Sequence, residues 1–244
     1  MSVTTGTVFQ DTRMPLRIWF RAAWWITNQK SGVSALGLQG LLGLGSYRTA
    51  WMCLHKLRRA MVRPSRELLS GRVEVDETLV GGVKKGAHSK YKKTIVSIAV
   101  EIRGQGTGRV RLRQIPDDTE ASIKAFIRST IAPGSELVTD GAHAYKALVP
   151  HGYLHSRTVQ QGQNAEALAR VLPRVHRVAA LLKRWLLGIH QGRISPGQLD
   201  HYLEEYAFRF NRRLSARRGM LFFRLLQQCA VSPPAPYKNI KQVA

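Results

Sequence analysis

The chain has 244 residues, with Lys+Arg 38 against Asp+Glu 15 and a formal net charge of +23. Hydrophobic residues make up 44%, enough for a sizeable core, which excludes a disordered basic tail. Its two cysteines, Cys53 and Cys229, exclude a disulfide scaffold and a four-cysteine zinc site built from this chain alone. No stretch approaches the roughly 18 apolar residues of a membrane span. The opening residues, MSVTTGTVFQDTR, lack a signal-peptide pattern. A cytoplasmic, nucleoid-associated protein with no membrane partner is therefore expected. The charge is uneven: residues 1–70 carry a net +8, residues 71–166 a net +4 and residues 167–244 a net +11. Cationic flanks around an acid-containing centre point to a polyanion, nucleic acid first; anionic lipid or a generic basic protein is the blander reading.

Residues 15–29 (PLRIWFRAAWWITNQ) predict a helix, with Pro15 at its first turn and aromatic residues at helical spacing. Ser34 is placed to cap a second, short helix through Leu42. The glycines of GLG at 43–45 signal a turn, and Ser46 precedes a third, basic helix over 47–62. This succession resembles a helix-turn-helix unit and equally an ordinary three-helix module. Arg63-Pro64-Ser65-Arg66 reads as a linker. Residues 72–80 (RVEVDETLV), 94–101 and 109–115 predict strands. The GQGTG loop at 104–108 joins two of them, so it is a hairpin turn and not a phosphate loop. A helix over 119–131 capped by Thr119, a short strand over 136–140, a helix from about 142 and a strand near 153–158 follow. Residues 165–188 are helical in pattern with Pro173 as a potential break, and 196–212 form a long amphipathic helix. The Pro-rich end, VSPPAPYKNI, is expected to be extended. Strands followed by alternating helices and strands predict a mixed α/β layer arrangement.

The acids are few and therefore informative. Asp76 sits inside an apolar strand and Asp140 ends another. A carboxylate inside a strand is costly unless it is paired or holds a metal. Asp-Gly at a strand end is also a plain turn signal, so Asp140 says less. If the two lie on adjacent strands they form an oxygen-rich pocket for Mg²⁺. Two such ions, about 3.5–4 Å apart, clamp the attacking and leaving oxygens of a phosphodiester. His176 follows Asp140 by 36 residues, and Lys183 follows His176 by seven. Seven residues are two helical turns, so both project from one face.

The stretches VEVDETLVGG, VTDGAHAY, LLKRWLLGIHQG and YLEEYAFRFNRR together resemble bacterial insertion-sequence transposases of the DDE superfamily, in the ISXO-like transposase-domain group. The resemblance runs from about residue 3 to 228. It implies an RNase H-like core with a mixed five-stranded sheet and flanking helices. It also implies metal-dependent cleavage of transposon-end DNA, with transfer of the freed 3′-OH into target DNA. By motif, Asp76 and Asp140 match the first and second catalytic acids, His176 falls where relatives carry the third, and Lys183 matches the lysine that touches end DNA. All three of the former would be metal ligands in a two-metal site for Mg²⁺, or for Mn²⁺, because imidazole suits softer ions than carboxylate does. Relatives usually begin with a four-cysteine zinc ribbon; no Cys-x-x-Cys occurs here.

The expected organisation is a helical, helix-turn-helix-like DNA-binding unit over 1–66, an RNase H-like catalytic domain over 67–228 and an extended tail over 229–244. Arg184, Arg48 and Lys56 join Lys183 as DNA-contact candidates. So do Arg209, Arg212 and Arg213 from the stretch FRFNRRLSARR, which interleaves aromatic and basic residues. The partners expected are transposon-end and target DNA, with a homo-oligomer on that DNA. Glu77 points to the opposite face of its strand from Asp76, and Glu166 is a fallback third acid. Glu204 and Glu205 are expected to pair with nearby arginines. The tryptophans at 19, 24, 25 and 51 read as core residues. Two other functions stay open: a DNA-binding remnant of such a transposase, and an RNase H-like nuclease without a joining step.

Overall fold

The computed structural model describes residues 2–63, 66–81, 93–140, 152–157, 172–191 and 194–241. In chain order its elements are α1 (Leu16–Asn28), α2 (Ala35–Leu42), α3 (Tyr47–Ala60), β1 (Arg72–Val80), β2 (Thr94–Arg103), β3 (Gly106–Ile115), α4 (Glu120–Thr130), β4 (Glu136–Thr139), β5 (Leu154–Arg157), α5 (Pro173–His190), α6 (Pro196–Asn211), α7 (Arg218–Val231) and α8 (Tyr237–Lys241). None of the described helices is long and apolar enough to cross a membrane. The helix expected from about 142, residues 165–171 and Glu166 lie outside the described residues.

The contacts divide the chain into two compact units, Met1–Arg66 with Ser195–Ala244, and Glu67–Ile194. The division at 66 coincides with the expected linker. At the other end the chain returns to the first unit at Ser195, well before the expected boundary at 228. The cause is packing: Phe208 on α6 and Leu225 and Cys229 on α7 are buried in one core with Trp19, Ile26, Leu54 and Leu57.

In the helical unit, local chemistry sets the element ends. The Ser34 Oγ accepts from the Gly37 N–H at 3.0 Å and caps α2. Gly43 ends the same helix in the left-handed region at φ 60°. The chain after α6 departs from expectation twice. Helix α7 carries no sequence assignment, and the end expected to be extended folds into α8. Pro236 precedes the first turn of α8, where a missing N–H costs nothing. Ile240 is fully buried, and its carbonyl accepts from Gln198 Nε2 at 2.9 Å.

The second unit is built on a five-stranded sheet of order β3-β2-β1-β4-β5. Strands β1, β2 and β3 pair antiparallel in succession, whereas β1–β4 and β4–β5 are parallel. This is the mixed α/β sheet with flanking helices that the resemblance implies. Glycine at 104 takes φ 52° in the β2–β3 hairpin, as the turn reading of GQGTG requires. Alternation along β1 decides the rest. Val73 and Val75 join Ala99, Leu137 and the α4 residues Ile123, Phe126 and Ile127 in one core. Glu74 and Asp76 are thereby turned to the other face, and α5 packs on β1 and β2.

Candidate functional site

Three elements of the sheet unit converge on Asp76. Within β1 it stands opposite Ile98 of β2, a residue 1% exposed. The parallel register Arg72↔Glu136, Val73↔Leu137, Glu74↔Val138 carries Asp140, the residue after β4, level with Asp76 on the neighbouring strand. From α5, His176 brings its Nδ1 to 3.5 Å from Asp76 Oδ2. That distance is long for a hydrogen bond. Lys183, two turns further along α5, is exposed and its charge reaches Asp76.

The electrostatics follow from this packing. Burial raises the Asp76 pKa and the Asp140 charge raises it further. A backbone hydrogen bond at Glu77 and the charge of Lys183 pull it back, and it settles at about 6. The ionised form is thus costly in the folded protein. Stability at pH above about 6 carries that cost in full, and below about pH 4 the cost is absent because folded and unfolded carboxyls are both protonated. Asp76→Asn is accordingly expected to stabilise the metal-free protein at pH 7 by about 1–3 kcal/mol, with no difference left at pH 4. Thermal melts at the two pH values check this.

Among the described residues, no group of three His, Cys, Asp or Glu side chains already closes around one point. The fit to a divalent cation lies in the donors. Two carboxylates whose charges disfavour one another, beside an exposed imidazole, lose that penalty when a dication enters. Asp76, Asp140 and His176 are the residues that would hold it.

Glu74 is the residue that sequence reasoning missed. It is 2% exposed and sits two positions before Asp76 on the same face of β1. Its Oε2 accepts from the backbone N–H groups of Arg174 and Val175, both at 2.8 Å. Its Oε1 accepts from Arg174 Nη1 at 3.0 Å. Helix α5 begins at Pro173 with no side-chain cap of its own. Glu74 therefore supplies the capping charge from a strand, satisfying two orphan N–H donors at the positive end of the helix dipole. Arg174 is tied further to the carbonyls of Gly106 and Gly104. His176 is the next residue but one after Arg174, so this clamp fixes its distance from Asp76. The signal was present: a second acid in an apolar strand needs a partner for the same reason Asp76 does. Glu74→Gln, which keeps the shape but not the charge, is expected to loosen the first turn of α5 and with it the approach of His176 to Asp76. Amide hydrogen exchange at Arg174 and Val175 should speed up in the same variant.

The other candidates divide. Glu77 lies on the far face as expected and accepts from Ser97 Oγ at 3.0 Å. Arg184 is exposed on α5. In the helical unit Arg48 stacks on the Tyr237 ring at 3.8 Å. Lys56 is a correction: it is 9% exposed and its Nζ donates to the Val8 carbonyl at 3.2 Å. The apolar residues around α3 enclose its stem, so it is a core lysine and not a DNA contact. Glu204 and Glu205 pair with arginines, Glu204 with Arg66 at 2.7 Å and Glu205 with Arg58 and Arg209. Trp19 is buried, whereas Trp24 is 47% exposed and meets Phe222 edge-on. Arg209, Arg212 and Arg213 come together at the end of α6.

Comparison with known proteins identifies the family. Residues 68–211 match the model of the ISXO2-like transposase domain. The chain is also 26% identical to a Halobacterium salinarum protein described as an uncharacterized protein in transposable element ISH50, over 84% of this chain and 73% of that one. The matched segment contains Asp76, Asp140, His176 and Lys183.

Proposed function

Because this chain belongs to the ISXO2-like transposase domain family, a family of DNA transposition, we propose that it cleaves the ends of its element and joins the freed 3′-OH to target DNA. The observation that carries the reading is the approach of His176 to 3.5 Å from Asp76, with the Asp140 charge acting on the same carboxyl, inside the segment that matches the family. In this reading Asp76 and Asp140 are the catalytic carboxylates and His176 the third ligand. A divalent cation bound there would stabilise the charge that develops on the phosphoryl oxygens. The chain's own contributions are distinct from that. The two carboxylates set the charge of the site, Glu74 holds His176 in place, and Lys183 with Arg184 meets the DNA backbone beside the acids. The helical unit, with 18 Lys and Arg against 4 Asp and Glu, supplies further phosphate contacts. DNA bound as a synaptic pair requires at least two subunits, so a homo-oligomer on DNA belongs to the same proposal.

The test uses purified full-length protein and a duplex carrying the element's terminal repeat. Nicked and joined products are expected, and Mn²⁺ is expected to support joining at least as well as Mg²⁺ because of the imidazole. His176→Glu should move the preference toward Mg²⁺. Nicks without joined strands would replace the reading with a nuclease. Binding without either product would leave a DNA-binding remnant. Clearly weaker joining in Mn²⁺ would remove His176 from the ligand set.

A further inference from the structure

The helical unit contains a cavity of about 190 Å³ between the end of α1, the end of α6 and the start of α7. Five cationic side chains line it, Lys30, Arg209, Arg212, Arg213 and Arg218, and no acidic one does. Lys30, Arg212, Arg213 and Arg218 lie outside the segment that matches the transposase domain. We propose that this cavity is a dedicated phosphate site that clamps one stretch of DNA backbone, separate from the backbone contacts beside the acids.

The way the guanidinium groups are held supports this. Arg209 is fixed by Glu205 at 2.7 Å and by the Gln29 carbonyl at 2.6 Å. Arg212 donates to the Phe208 carbonyl at 3.2 Å and lies over the Phe208 ring at 4.1 Å. Arg213 donates to the Phe210 carbonyl at 2.8 Å and lies over the Phe210 ring at 4.0 Å. Aromatic faces and main-chain carbonyls thus orient the Arg212 and Arg213 groups. Glu205, the partner of Arg209, is fully buried and shared with Arg58. Burial pushes the Arg212 pKa down, and the charges of Arg224 and Arg63 add to it. Five cationic side chains around one cavity with no acidic side chain in its lining repel one another, and an anion there relieves that. Four of the five are arginines, whose planar forks match phosphate oxygens two at a time. Thr27, Gln29, Phe208 and Leu221 complete the lining and leave room for a phosphate with its ester oxygens.

The proposal rests on the transposition reading only for the polymer, DNA. It says nothing about which bond is cut, so it is scored by binding. The experiment measures the affinity of the full chain for a short duplex as a function of salt. Arg212→Gln/Arg213→Gln is expected to lower the slope of log K against log salt by about 2. The matched charge loss Arg17→Gln/Arg21→Gln, on exposed positions of α1, should lower it by much less. Lys30→Gln/Arg218→Gln tests the same cavity from two other elements, which guards against a folding defect in one variant. Inorganic phosphate should raise the melting temperature of the wild type and not of either cavity variant. A slope no lower than that of the control in both cavity pairs would overturn the proposal. Phosphate protection with unchanged DNA slopes would make the cavity a free-anion site instead. Loss of binding to phosphatidylglycerol vesicles with DNA binding intact would make it a lipid contact. A chain that fails to cleave yet shows the slope change would sink the transposase chemistry and leave this site standing.

Discussion

Asp140→Ala is expected to lower end-DNA cleavage and strand transfer at least about a thousandfold, roughly 4 kcal/mol of transition-state stabilisation at about 1.4 kcal/mol per decade. Single-turnover gels with metal present would measure both steps. The size follows from position. Asp140 stands level with Asp76 across the parallel β1–β4 pair, so removing it takes one of two carboxylates from the place where charge must be balanced. Binding of the duplex should persist, and even tighten slightly, because a carboxylate facing phosphate has been removed. The same substitution should bring the Asp76 pKa back toward its ordinary value, since Asp140's charge is one of the causes that raise it. Full joining activity in Asp140→Ala would end the acid assignment, whatever the variant does to binding.

Much of the sheet unit was legible because its rules are local. Strand β1 runs over Arg72–Val80 as alternation demanded, and the cost of a carboxylate in an apolar strand singled out Asp76 before any contact was known. The same rule applied to Glu74 and went unused, since its partner, the α5 N-terminus, lies 100 residues away. Distance along the chain also hid the return to the helical unit at Ser195. Nothing in residues 195–231 announces that Phe208, Leu225 and Cys229 complete a core begun by Trp19 and Leu54. Lys56 failed for a related reason. Helical spacing placed it among basic neighbours, but the N-terminal segment crosses above it and offers the Val8 carbonyl. Four of the five cavity cations were visible in FRFNRRLSARR, yet Lys30 joins them only through tertiary packing.

Glu205→Ala should be the most damaging single change to the helical unit. Glu205 is 0% exposed, with its Oε2 at 2.6 Å from Arg58 Nε and its Oε1 at 2.7 Å from Arg209 Nη2. Burial by itself would raise the pKa of this carboxyl, but the two guanidinium groups outweigh it and carry it down to about 2. Deleting the carboxylate strands two cations, Arg58 being nearly as buried as its partner. Breaking a buried pair in this way costs about 3–5 kcal/mol, which for a unit of this size lowers the melting temperature by about 10 °C or more. The pH dependence has a definite sign. A depressed carboxyl pKa contributes stability that is complete above about pH 4.5 and is lost as pH falls toward 2. Wild type and Glu205→Ala should therefore converge in stability across that window and differ fully at pH 7. Adding Arg58→Met to Glu205→Ala should recover part of the loss, because one stranded charge is then replaced by an apolar side chain of similar length. Calorimetric melts of the four combinations at pH 7 and pH 3 separate the pair energy from simple loss of packing. Additive single-variant effects at pH 7 would mean that Arg58 and Glu205 hold the core by volume and not by charge.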